Sequence, residues 1–434
     1  TTPAPLLPST RAAVIAWLND DDAPLPWHKW SSFGGYLDYL REIGVSVNVV
    51  PLAGLGTIRA GVMLFSAAAP TAEQLARMQA DVSAALDAGA VGVSSGLIYP
   101  PGSYATTAEL IALVRPVGLR GGHYMSHIRG EGDTLLEAVA EAIDIGRATG
   151  ASVEISHLKA SFPRNWHKAA QALEMIDRAR AEGLDVGADM YPYTAGSSSL
   201  VSMLPMWAQE GGSAATLQRL ADAQTRDRMA QAETARGPFS AINWSKVLIT
   251  ASPRERSYEG KSVADLAEAA GRPAHTWVFD ALLQTELQIH MSCDYASEDN
   301  LALQLRYAGM TIGSDSAARS VTGALSAGHP HPRTFGTFPR VLGLYARDRG
   351  VLTLEDAVHR MTGLPARKLR LNDRGLIRKG YRADIVVFDP LVVADRATTL
   401  SPKKYPAGIR HVINNGTEVV RNGSHTQARP GRVL

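Results

Sequence analysis

One cysteine, Cys293, serves all 434 residues, so an intrachain disulfide is excluded. That usage fits a reducing compartment and predicts a cytoplasmic protein. Charge of either sign is also in short supply. Charged residues make up 20% of the chain and the net charge is +2, which implies neither a nucleic-acid nor a membrane partner. The longest apolar runs fall short of the roughly 20 residues that span a bilayer. Residues 1–8 (TTPAPLLP) lack the basic and apolar regions of a signal peptide. No convincing phosphate-binding glycine pattern is present, which disfavours a nucleotide cofactor. Internal repeats and low-complexity segments are absent as well.

What is present is a long alternation of strand and helix signals. Strand-like runs at Val45–Pro51, Val91–Ser95, Leu119–His127, Val153–His157 and Leu184–Tyr191 are separated by helical patterns. Thr71-Ala-Glu-Gln74 reads as a capping box whose helix ends near Gly89, a suitable C′ glycine. Thr106 opens a second helix, expected to stop near Pro116, and a third runs from about Asp133 to Gly150. A fourth is expected from Trp166 to Glu182. Such βαβα order predicts an α/β protein with a parallel sheet, closed into a barrel or left open. The rhythm breaks over residues 194–245, which carry Gly and Ser clusters and a polar helix around Leu217–Ala235. We expect an insertion there, a lid above the barrel. Strand signals return at Val247, Leu287 and Met310, and Thr353 opens a late helix. Short strands between turns after residue 370 predict a small β domain. The expected division is a barrel over residues 1–369 and a β-sandwich domain over 370–434.

Three short segments concentrate the chemistry: Tyr124-Met-Ser-His127, Ile155-Ser-His157-Leu-Lys159 and Ile312-Gly-Ser-Asp315. Each ends an extended stretch with a side chain able to bind metal. In a (β/α) barrel all strand C-termini open on one face, so two imidazoles and a carboxylate from different strands can converge. That pattern suggests a divalent metal, zinc by ligand chemistry, and a metal-activated water. Taken singly, each histidine reads equally as a packed strand residue, and Asp315 as a turn aspartate beside glycine.

Together with Gly96-Leu-Ile-Tyr-Pro-Pro-Gly102, Ser126-His-Ile-Arg-Gly-Glu131, Asn165-Trp166, Asp189-Met-Tyr-Pro-Tyr193, His331-Pro-Arg333 and the stretch Arg374 to Pro390, these segments resemble the N-acyl-D-amino-acid deacylases (D-aminoacylases) of the amidohydrolase superfamily. The similarity runs over nearly the whole chain. It implies a TIM-like (β/α)8 barrel with a small β-sandwich. It also implies metal-dependent hydrolysis of the amide between an acyl group and a D-amino acid, with one or two Zn²⁺ ions. By this resemblance His127 and His157 are metal ligands. Two Zn–N bonds of about 2.0–2.1 Å would then bring their nitrogens roughly 3–3.5 Å apart. Asp315 becomes the general base that deprotonates the water and returns the proton to the leaving amine. Arg333 grips the substrate carboxylate bidentately, with Lys159 and Tyr191 as helpers. Tyr191 reads almost as well as a core aromatic.

The family's early His-x-His pair and its Asn-Cys-Gly turn have no counterpart here. His329-Pro-His331 is far downstream, and Cys293 is in no such turn. We therefore expect residues upstream of Thr1 in the natural protein, including strands of the barrel; a metal-poor relative is the alternative. Arg129 and Glu131 read as an ion pair beside His127. His123 shares a strand face with His127 but reads as structural. His290 sits in an apolar strand pattern that can approach the barrel mouth. Ser197–Ser199 either supply hydroxyls or form a plain loop. Two other readings stand beside the deacylase: a cyclic amidase of the dihydroorotase or hydantoinase type, and a non-catalytic protein of the same fold.

Overall fold

The computed structural model describes residues 2–18, 25–232 and 242–434. The expected polar helix at 217–235 appears as two helices, Gly212–Ala221 and Ala223–Ala230, and its last residues lie outside the described ones. In chain order the strands are β1 (Leu52–Gly54), β2 (Gly92–Gly96), β3 (His123–His127), β4 (Ser152–Ile155), β5 (Val186–Met190), β6 (Ala195–Ser199), β7 (Val247–Ala251), β8 (His290–Asp294), β9 (Met310–Ile312), β10 (Ile385–Phe388), β11 (Ile409–Asn414), β12 (Thr417–Arg421) and β13 (Ser424–His425). Six of them form one parallel sheet in the order β1-β2-β3-β4-β5-β9.

Helices at Ala72–Asp87, Thr107–Leu119, Leu135–Thr149 and Lys168–Ala181 connect these strands. Their buried faces carry Met78, Val82, Leu110, Leu113, Val139, Ile143 and Ile176. These pack with Val93, Tyr124, Val153, Ile155 and Ala188 of the sheet in one apolar core. Each such side chain, fully buried, contributes about 1.5–3 kcal/mol. The capping box forms as the sequence predicts. Gln74 N–H donates to Thr71 Oγ1 at 3.2 Å and Thr71 N–H to Gln74 Oε1 at 2.9 Å. The Thr107–Leu119 helix runs through Pro116 rather than stopping there. Proline cannot donate to the carbonyl four residues back. Here the side-chain amide of Gln79 donates to Ala112 O at 3.0 Å and fills the gap.

The chain leaves the parallel sheet after β5. Strands β6, β8 and β7 form a separate antiparallel sheet, so the Val247 and His290 strands do not rejoin the barrel strands. A second apolar cluster, from Leu200 to Tyr295, packs behind that sheet. Strands β10 to β13 make an antiparallel meander near the C-terminus. Residues 45–49 bridge to residues 431–433 beside it, and Asn48 bonds Asn414 and Asn415. The expected Val45–Pro51 strand is thus partly spent on this contact. Among the described residues no helix is long and apolar enough to cross a membrane.

Candidate active site

Register alone lines up the strand ends. Gly96 pairs with His127, Ser126 with Ile155, Ile155 with Ala188, and Met190 with Ile312. His127 closes β3, His157 follows β4 by two residues, Tyr191 follows β5, and Asp315 follows β9 by three. His157 (φ +40°) and Asp315 (φ +46°) both take the left-handed backbone region. For a residue with a β-carbon that conformation costs of order 1–3 kcal/mol and concentrates at functional sites. At His157 the surroundings hold it, because its N–H donates to the half-buried Asp189 carboxylate at 2.8 Å.

The two imidazoles do meet. The rings of His127 and His157 stand edge to face, with centroids 4.4 Å apart. Glu131 completes the group. Its Oε1 lies 3.0 Å from His157 Nδ1 and 3.7 Å from His127 Nε2. One ligand atom from each of the three residues falls within 4.8 Å of the others. Lys159 Nζ also enters, 2.6 Å from Glu131 Oε1 and 2.8 Å from His157 Nδ1. Burial opposes charge on both groups, yet Lys159 and the two histidines hold the Glu131 carboxyl well below its ordinary value. Glu131 in turn raises Lys159 against its own burial. Two imidazoles and a carboxylate are a ligand set that suits zinc, and the spacing needs only small closure. The donors present therefore fit a divalent metal.

Asp315 and Arg333 form the second half. Arg333 Nη1 lies 2.8 Å from Asp315 Oδ2. The approach is off hydrogen-bond angle, so Nη1 of a side chain only 8% exposed has no hydrogen-bond acceptor. A buried guanidinium N–H without an acceptor is costly, and an incoming carboxylate would satisfy it. Two contacts hold Arg333 in place. Its guanidinium lies over the Tyr191 ring at 4.6 Å, and its backbone N–H donates to His331 Nδ1 at 3.0 Å. Burial and the nearby arginines keep His331 well below the ordinary histidine value, so it stays neutral and accepts that bond. The Tyr191 hydroxyl bonds Tyr295 at 2.8 Å. A β-carbon at Gly196 would stand 1.7 Å from the Tyr295 hydroxyl, which is why glycine occupies that strand position.

The six predicted site residues thus fall into two touching groups: His127, His157 and Lys159 with Glu131, and Asp315 and Arg333 over Tyr191. The expected Arg129–Glu131 pair does not exist. Arg129 instead bonds Glu141 and the carbonyls of Ser103 and Ala105, while Glu131 pairs with Lys159. His123 sits at the far end of β3, where burial lowers it to about 4. Ser197–Ser199 belong to β6 rather than to a loop. Sequence reasoning missed Tyr99, whose ring meets His127 edge-on at 5.2 Å and whose hydroxyl bonds Ser198 at 3.0 Å. It also gave no role to His331, Asp189 or Tyr295. For Glu131 a signal existed, since it follows His127 by four residues in a glycine-containing turn.

A parallel sheet that gathers two imidazoles, a carboxylate, a further acid and a buried arginine at its strand ends defines a barrel hydrolase with a metal-type donor set. The chain belongs to the amidohydrolase family, whose profile matches residues 52–420. Over all 434 residues it is 37% identical to the N-acyl-D-glutamate deacylase of Alcaligenes xylosoxydans xylosoxydans, covering 77% of that protein. It is 35% identical to the D-aminoacylase of the same organism, over 99% of this chain and 78% of that one. The N-acyl-D-glutamate deacylase of Bordetella bronchiseptica, solved with zinc and a phosphonate mimic of the tetrahedral intermediate, superposes with a TM-score of 0.81 at 34% identity, covering 100% of this chain and 80% of that one. An L-hydantoinase from Arthrobacter aurescens is far more distant, at 16% identity and a TM-score of 0.50 over 93% of this chain and 77% of that one, and shares the fold alone.

Proposed function

We propose that the protein hydrolyses N-acyl-D-amino acids to a carboxylate and a free D-amino acid, using zinc. The observation that carries this reading is the juxtaposition at one sheet end of the His127–Glu131–His157 donors with the Asp315–Arg333 pair. The full-length similarity to deacylases, set against the remote hydantoinases, supports it over a cyclic amidase. A non-catalytic role would leave the buried Arg333 N–H and the strained Asp315 backbone without a purpose.

His127, His157 and Glu131 would hold the ion, which when bound supplies an acidified water and a polarised amide carbonyl. Arg333 binds the substrate α-carboxylate, steadied from below by Tyr191. Lys159 offers a second positive charge on the same side and shields Glu131 from it. Asp315, 41% exposed, takes the proton from the attacking water. After the carbon–nitrogen bond breaks, Asp315 gives that proton to the leaving amine. Substrate binding at Arg333 would draw the guanidinium away from Asp315, which frees the carboxylate for this work. A cytoplasmic location and the division into a barrel (residues 1–369) and a β domain (370–434) belong to the same proposal.

The test is turnover with the zinc-loaded protein. We expect N-acetyl-D-amino acids to be hydrolysed, their L-enantiomers and a hydantoin to be poor, and zinc to bind at roughly one ion per chain. Turnover of the hydantoin alone would overturn the reading.

A further inference from the structure

The insertion after β5 helps to enclose a cavity of about 330 Å³. Its helix Gly212–Ala221 supplies Ser213 and Leu217, four residues apart and so on one face. Glycine lets that helix come down on its neighbour: a β-carbon at Gly212, where φ is +81°, would stand 2.7 Å from the Phe65 ring. Phe65 and Trp17 meet edge to face at 5.7 Å and form another wall. Leu287 supplies a third. Leu287 and Glu286 both take the left-handed backbone region (φ +68° and +49°), an unfavourable turn for residues with a β-carbon, and this turn puts Leu287 in the cavity lining.

The polar side chains of this lining are engaged within the protein. Ser202 Oγ donates to Ser199 O at 2.7 Å, Thr216 Oγ1 to Gly212 O at 3.0 Å, and Gln209 Nε2 to Leu204 O at 3.1 Å. Glu286 and Gln288 accept from Arg254 at 2.8 and 3.2 Å. What the cavity offers an occupant is therefore mainly apolar: Ala16, Trp17, Phe65, Val201, Leu217 and Leu287. A charged occupant would shed its water against these side chains. Tyr99 joins the cavity to the strand ends, because it lines the cavity and its ring meets His127 edge-on at 5.2 Å. On the reading above, the scissile carbonyl sits at the ion held by His127, His157 and Glu131. Its carbon carries two arms. The amide nitrogen leads to the α-carbon and to the carboxylate at Arg333, and the acyl chain leads the other way. Arg333 and Asp315 line none of this cavity, whereas Tyr99 beside His127 does. The acyl chain is thus the arm placed to enter it.

We propose that this cavity is an acyl pocket, that Leu217 and Leu287 are specificity-determining residues, and that the preferred substrates carry an apolar acyl chain longer than acetyl. The inference rests on the deacylase reading and deepens it at the acyl end of the substrate.

Steady-state kinetics of the zinc-loaded protein with the N-acetyl, N-butanoyl and N-octanoyl derivatives of D-glutamate and D-leucine test it. For whichever amino acid is turned over, we expect kcat/KM of the octanoyl derivative to exceed that of the acetyl one by at least about 10-fold, since each methylene that enters an apolar pocket adds binding. Leu217→Asp puts a carboxylate in the lining, and Ser213→Trp, at an exposed position on the same helix face, fills the space. We expect each to lower the octanoyl-to-acetyl ratio roughly 10- to 100-fold. Calorimetric titration with octanoate and with acetate supplies a readout that does not need turnover. Octanoate should bind the tighter, and Ser213→Trp should remove that advantage. Circular dichroism checks folding, and the exposed Ser213 site carries the test if Leu217→Asp does not fold. A ratio at or below one, or a ratio unmoved by Ser213→Trp, overturns the inference and leaves the deacylase reading standing. Octanoate binding no tighter than acetate does the same. No turnover of any of these derivatives overturns both.

Discussion

Strands β3 and β4 hold ionisable groups within the strands and others just past their C-terminal ends, and the two sets behave in opposite ways. At the C-terminal mouth, Glu131 is held well below its ordinary value and Lys159 is raised, so both stay charged. Within the strands, burial pushes Glu154 of β4 up to about 7 and His123, which opens β3, down to about 4, so both tend to neutrality. The depth is similar: the side chain of Glu131 is 14% exposed, that of Glu154 6%. The difference is the partner. Lys159 Nζ stands 2.6 Å from Glu131, inside hydrogen-bond range. Lys368 Nζ stands 3.7 Å from Glu154 Oε2, which has no hydrogen-bond partner, and bonds Asp185 and Val153 O instead. A buried charge persists only where a counter-charge touches it. The mouth is built to keep charges available; the strands themselves suppress them.

The largest effect that would break this contrast lies at the mouth. Asp315→Asn keeps the size of the side chain and removes the proposed base. We expect kcat to fall about 10²–10⁴-fold with an unchanged melting temperature. Turnover near wild type would remove Asp315 from the chemistry and make the mouth as inert as the strands.

Lys159→Met comes next. It strands Glu131 beside two imidazoles, and breaking a buried pair costs about 3–5 kcal/mol. Urea unfolding of the metal-free protein should show that loss, and adding Glu131→Gln should recover most of it. A single substitution with no effect would mean that Lys159 and Glu131 are not coupled.

Arg333→Lys keeps charge and loses the planar fork. We expect KM for N-acyl-D-amino acids to rise roughly 10- to 100-fold with a smaller change in kcat. Kinetics that barely move would show that no substrate carboxylate reaches this arginine.

The smallest effect is within the strands, and its sign is diagnostic. Glu154, raised to about 7 from 4.5, binds more protons folded than unfolded between those values, so its contribution to stability falls as pH rises through that window. His123, lowered to about 4 from 6.5, binds fewer, so its contribution falls as pH drops through that window. In the wild type the two slopes oppose each other where the windows overlap. Glu154→Gln should leave a stability that rises with pH there, and His123→Gln one that falls, each by at most about 1.4 kcal/mol per pH unit. Parallel slopes in the two variants, followed by urea unfolding, would refute the assignment.

Much of the site was legible in advance because strand-end chemistry is local. His127, His157 and Asp315 each close an apolar stretch, and parallel strands deliver their ends to one face. Glu131 was misread because two cations were in reach. Arg129 is its sequence neighbour, but the fold turns Arg129 toward Glu141. Pro116 was misread as a stop because the Gln79 amide that replaces its missing donor comes from another helix. The Val247 and Leu287 runs carry ordinary strand signals, and nothing in a strand's own residues names the sheet it will join.

By itself the sequence determined the element types, the parallel class of the main sheet, the family and the residue kinds that a hydrolytic site needs. These follow from periodicity, capping and short motifs, which are properties of neighbouring residues. Tertiary structure decided which charges survive burial and which groups share a cavity. It set Lys159 rather than Arg129 against Glu131 and laid Arg333 over Tyr191. Those outcomes depend on distances of a few ångströms between residues far apart in the chain, and Coulomb and hydrogen-bond energies change steeply over that range.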